Sequence, residues 1–173
     1  LDAVKSADDV LLTGSHSAHG LDPGASHSGT VTVTIPAATP PNAYFLLACA
    51  DTQNAVVELN ESNNCIATAG ATITVTRPDL AATTVTTNPP APTRAPGTTF
   101  SVTDTIQNVG QAASGSSTTR YYLSPDGVKN AGDTLLPGSR GVPGLAAGAS
   151  HSGTVTLTIP TATPLNSYFL LAC

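Results

Sequence analysis

The stretch Gly24-Ala25-Ser26-His27-Ser28-Gly29-Thr30-Val31-Thr32-Val33-Thr34-Ile35 decides the reading of this chain, because it occurs twice. It returns as Gly148-Ala149-Ser150-His151-Ser152-Gly153-Thr154-Val155-Thr156-Leu157-Thr158-Ile159, an offset of 124 residues. From Thr30, and again from Thr154, apolar residues alternate with Thr at a period of two, the pattern of a strand with one buried face. At the same offset Lys5 meets Lys129, Asp9 meets Asp133, Leu11-Leu12 meets Leu135-Leu136, and Tyr44-Phe45-Leu46-Leu47-Ala48-Cys49 meets Tyr168-Phe169-Leu170-Leu171-Ala172-Cys173. No gap is needed, and roughly two-thirds of the aligned positions are identical, which marks tandem duplication of one module.

The boundary between copies falls where Ala71-Thr72-Ile73-Thr74-Val75-Thr76 gives way to Arg77-Pro78-Asp79-Leu80, since Pro between two β-rich runs interrupts ladder pairing. Residues 1–76 then read as the C-terminal part of one repeat and 77–173 as the N-terminal part of the next. The chain holds no Met and no signal peptide at Leu1, so it is expected to be a piece of something longer.

Further strands are predicted at Leu80 to Thr87, Thr99 to Val109, Thr118 to Ser124, Tyr44 to Cys49 and Ile66 to Val75, all rich in β-branched or aromatic residues. Asn88-Pro89-Pro90-Ala91-Pro92 and Ala95-Pro96-Gly97 form a stiff connection between two of them. Helix signals are weak. The expected fold is all-β, an immunoglobulin-like antiparallel sandwich repeated in two incomplete modules. A module short of a strand or two is expected to be marginal, because three Phe, four Tyr and no Trp leave the core to Val, Leu, Ile and Ala. The fragments are not expected to complete each other within one chain: a linker at Thr76 to Pro78 reaches about 10 Å, against about 25 Å between opposite poles of a sandwich. Unpaired edges that invite strand donation between molecules follow.

Composition narrows function. Only 10% of residues are charged, so Ser, Thr, Asn and Gly must build most of the surface, as in secreted all-β modules. A formal charge of −5 excludes nucleic acid as a partner. No run approaches the ~18 apolar residues of a membrane span, so no membrane insertion is expected.

In module order, Arg77-Pro78-Asp79-Leu80, then Phe100-Ser101-Val102-Thr103-Asp104-Thr105-Ile106-Gln107-Asn108-Val109-Gly110, then Thr119-Arg120-Tyr121-Tyr122-Leu123-Ser124 resemble the CARDB family, the cell-adhesion-related domain found in bacteria. Asp133-Thr134-Leu135-Leu136, the Ser-Gly-Thr-Val-Thr strand and the tail from Asp51 to Cys65 extend the resemblance over nearly the whole chain. It implies a non-catalytic immunoglobulin-like repeat in tandem arrays of exported or surface bacterial proteins, located outside the cell, with neighbouring repeats as partners. The competing reading is a glycan- or matrix-binding accessory module attached to a secreted enzyme, for which Tyr121 or Tyr122 would supply an exposed aromatic platform.

Candidate sites are few. Cys49 closes the aromatic strand and Cys65 follows the turn signal Asn63-Asn64, so a hairpin can bring them within the ~5.5 Å that a disulfide prefers, although two buried reduced cysteines fit the same composition. Such a bond would contribute about 3 kcal/mol. Cys173, the copy of Cys49, is expected to be a free thiol. Asp51, Glu58 and Glu61, with Asn60, Asn63 and Asn64, gather hard oxygen donors of the kind Ca²⁺ accepts, and Asp126, Asn130 and Asp133 raise the same question. Neither spacing is that of an EF-hand, turn formation accounts for both groups, and Lys129 opposes a cation in the second. No other cofactor is indicated.

His16 and His19 share a metal on paper, but Arg140 and Pro143 replace them in the copy, and surface histidines account for them. A triad of Ser26, His27 and Asp22 fails because neighbours on a strand face opposite ways and Ala146 stands for the acid in the copy. Asn60-Glu61-Ser62 fits a glycosylation pattern that a bacterial origin makes irrelevant. Asp104 and Arg120 are opposite charges on neighbouring predicted strands. If Phe100, Val102 and Ile106 face inward, Asp104 is buried too, unless a bulge turns it out, and a structural pair with Arg120 is expected.

Overall fold

Alternation along Thr99–Asn108 builds the centre of the structure, a computed structural model that describes residues 2–90 and 93–173. The described residues form eight strands and no helix: β1 (Asn42–Cys49), β2 (Cys65–Val75), β3 (Leu80–Asn88), β4 (Thr99–Asn108), β5 (Ser117–Ser124), β6 (Thr134–Val142), β7 (Ser150–Thr158) and β8 (Phe169–Ala172). All pair antiparallel. Ala91 and Pro92 of the proline-rich connection lie outside the described residues.

The chain divides into two compact units, Leu1–Val75 and Thr76–Cys173. The second is a sandwich of two three-stranded sheets, in the orders β3-β4-β7 and β6-β5-β8. Phe100, Val102, Leu157 and Ile159 from one layer meet Tyr121, Leu123 and Leu136 from the other. Ile106, Val142 and Leu145 form a smaller cluster beside them. The outward face is polar without being charged: Thr103 pairs with Thr154, and Thr105 with Ser152, by hydroxyl hydrogen bonds of 2.8 Å across the β4–β7 ladder. At one pole the buried Asn108 side chain donates to the carbonyls of Ala112 (2.7 Å) and Leu145 (3.0 Å) and accepts from the N–H groups of Asp79 and Gly110 (both 3.1 Å). Gly110 is required there, because a Cβ would stand 2.4 Å from the Asp79 nitrogen.

The first unit is built differently. Its ladder is the β1–β2 hairpin, and every buried apolar side chain among the described residues belongs to the second unit. The strand expected at Thr30 to Ile35 does not form; only Thr34 bridges, to Thr13. The near-identical Thr154 to Ile159 is ordered on β4, with Thr154 opposite Thr103 and Leu157 opposite Phe100, whereas the first unit holds no counterpart of β4. A ladder needs a partner, and sequence alternation alone does not supply one. Conversely, β6 was not anticipated as a strand, since Pro137, Gly138 and Gly141 disguise its inward residues Leu136, Arg140 and Val142.

Native-state hydrogen exchange separates these two environments of one sequence. Amides of Gly153, Val155 and Leu157, which face β4, are expected to exchange orders of magnitude more slowly than those of Gly29, Val31 and Val33. Equal protection would show that the first unit finds a ladder partner in solution.

Candidate functional site

The inward alternation of β4 places Phe100, Val102, Asp104, Ile106 and Asn108 on the buried face, so a carboxylate sits in the middle of an apolar stripe with no exposure at all. An isolated buried carboxylate costs several kcal/mol, so it must find a cation. That cation is Arg140 of β6, reaching across the sandwich. Its Nε donates to Asp104 Oδ2 at 2.9 Å and its second terminal nitrogen to Oδ1, a two-pronged contact that suits a planar guanidinium. The buried Tyr121 hydroxyl donates to Oδ2. The remaining Arg140 nitrogen lies 2.8 Å from His151 Nδ1. Arginine only donates, so Nδ1 accepts and the imidazole proton resides on Nε2.

Arg120, the partner expected for Asp104, is a correction. On β5 alternation buries Thr119, Tyr121 and Leu123, with Ser124 buried at the strand's end, and turns Arg120 to solvent on the opposite face. Tyr121 is likewise no exposed platform, being fully buried, and Tyr122 carries Lys129 Nζ 4.2 Å from its ring centre. Arg140 escaped sequence reading because β6 lacks a continuous apolar alternation. The available signal was its period-two spacing between Leu136 and Val142. Room for the Arg140 stem comes from Gly153, opposite Asp104 on β7, where a Cβ would stand 2.7 Å from Arg140 Cδ.

The electrostatics follow from burial and contact. Burial pushes the Asp104 carboxyl upward, but the hydrogen bonds from Arg140 and Tyr121 and the Arg140 charge outweigh it, so the net shift is downward. Burial, with the neighbouring Asp104 carboxylate, pushes the Tyr121 phenol up to about 12. Arg140 is raised by its hydrogen bond to Asp104. Every charge here is met internally, which is the chemistry of a clamp between two sheets.

The other expected sites are placed as follows. Cys49 and Cys65 are joined by a disulfide across the β1–β2 hairpin, with Cα atoms 4.0 Å apart, and Cys173 is a free, exposed thiol. Asp51, in a left-handed turn at φ 39°, accepts the N–H groups of Ala55 (2.9 Å) and Val56 (2.8 Å). Glu58 and Glu61 both accept from the Asn64 side-chain amide. Asp126 accepts from the Val128 N–H and the Ser124 hydroxyl, both at 2.9 Å, and these bonds, the Val128 one foremost, hold its carboxyl below the usual range. Asn130 donates to Asp126 (3.2 Å) and to Asp133 (2.7 Å), and Lys129 Nζ lies 4.0 Å from Asp133 Oδ2. Asp133 Oδ1 is buried without a hydrogen bond. The rings of His16 and His19 flank His27 at 5.0 and 4.6 Å between centres, and no group of three His, Cys, Asp or Glu side chains among the described residues is placed to hold a metal ion. Asp22 offers its carbonyl to the Ala25 N–H in a turn.

Two predictions follow from these geometries. Asp104 stabilises the second unit fully above the ordinary carboxylate range, and that contribution is lost as pH falls through its lowered pKa. Tyr121 leaves stability intact below pH 10 and erodes it as pH rises toward about 12. Asp104→Ala should cost about 3–5 kcal/mol at neutral pH, because it strands Arg140, and should flatten the acid limb of a denaturation series; an unchanged limb would assign it to other carboxylates. For the Asp126–Asp133 turn, Lys129 supplies the positive charge, so millimolar Ca²⁺ should leave the melting temperature unmoved. A rise abolished by Asp133→Asn would show that calcium displaces the lysine.

The match to a family profile agrees with this architecture. The CARDB family profile matches residues 3–68 and 77–172, two segments in tandem. No curated protein sequence matches the chain. Among solved structures, a mutant β-glucosidase from Listeria innocua in complex with laminaribiose shares 19% identity over 63% of this chain and 15% of its own, with a TM-score of 0.32. A β-D-glucoside glucohydrolase from Trichoderma reesei shares 21% over 53% of this chain and 14% of its own, with a TM-score of 0.27. The chain therefore spans about a seventh of the length of those enzymes. With nearly all of its length accounted for by two tandem matches, the chain belongs to the CARDB family.

Proposed function

We propose that this chain is a non-catalytic structural and adhesion repeat of an exported bacterial multi-domain protein, acting as a spacer or cell-surface interaction module. The observation that carries the reading is the closed Asp104–Arg140–Tyr121 cluster. Asp104, Tyr121 and Arg140, the buried ionisable groups of the second unit, are spent on clamping its two sheets together. The tandem CARDB matches support a repeat array, and the Cys49–Cys65 disulfide supports an oxidising compartment outside the cytoplasm. Its partners are then neighbouring repeats of the same polypeptide, with an extracellular protein or glycan as the surface it meets. Glycan recognition through β5 finds less support, because Tyr121 is buried and Tyr122 is capped by Lys129.

Single-molecule stretching between the termini tests the spacer role. The second unit should yield in one cooperative step, at a force lowered by Asp104→Ala. Saturable glycan binding by the intact chain, lost on Tyr122→Ala, would overturn it in favour of the accessory-module reading.

A further inference from the structure

We draw no further inference here: the strongest candidate, the outer face of the β6-β5-β8 sheet, where Tyr122 lies between Leu135 and Leu171 and Phe169 stands exposed beside them, is an apolar surface patch for which nothing in the structure shows what covers it.

Discussion

Strand β4 is the constraint on which the sandwich depends. It pairs with β3 on one side and β7 on the other, and its inward face supplies Phe100, Val102 and Ile106 to the core, Asp104 to the ionic clamp and Asn108 to the polar hub at one pole. Three kinds of stabilisation thus meet on one ten-residue strand. Apolar burial there is non-directional and tolerates sliding, but the Asp104–Arg140 fork and the Asn108 hydrogen bonds do not. They fix where β6 sits over β4 and where the loops close. A polar pair of this kind contributes less to net stability than an apolar pair of the same size, and its stronger effect is on which arrangement is accepted.

The repeat supplies an internal control for this dependence. From Gly24 and from Gly148 the sequence is the same for nine residues, and the two runs share their periodicity and propensity. One copy forms β7 and the other makes a single bridge. The difference lies in the partner, because β-propensity measures fit to a pleated, half-buried surface and the first unit provides none. The aromatic strand behaves otherwise. Asn42–Cys49 is extended in the first unit, where β2 and a disulfide hold it locally, and the Phe169–Ala172 part of its copy is extended on β5.

What could be read from sequence divides along the same line. Strands dense in β-branched residues, the all-β class and the burial of Asp104 were legible, since each rests on period and propensity within one segment. The partner of Asp104 was not. Opposite charges on adjacent strands suggested Arg120, but alternation on β5 sends that side chain outward, and the true partner comes from the facing sheet on a strand broken by Pro137, Gly138 and Gly141. Cross-sheet neighbours depend on how two layers stack, which no local pattern encodes. The Cys49–Cys65 bond lay between these cases, because a hairpin is local enough for its register to be guessed.

Arg140 and His16 occupy equivalent positions, and their surroundings show which part of the module is locally determined. In the second unit a Cβ on Gly153 would strike Arg140, and in the first a Cβ on Gly29 would stand 1.9 Å from His16 Nε2. His27 lies beside His16 as His151 lies beside Arg140. This contact between two neighbouring segments therefore persists where the sheet does not. What distinguishes the copies is the third participant: Asp104 fixes Arg140 as a buried cation, whereas His16 and His27 stack as exposed rings. An arginine stays charged at any accessible pH and suits a permanent clamp.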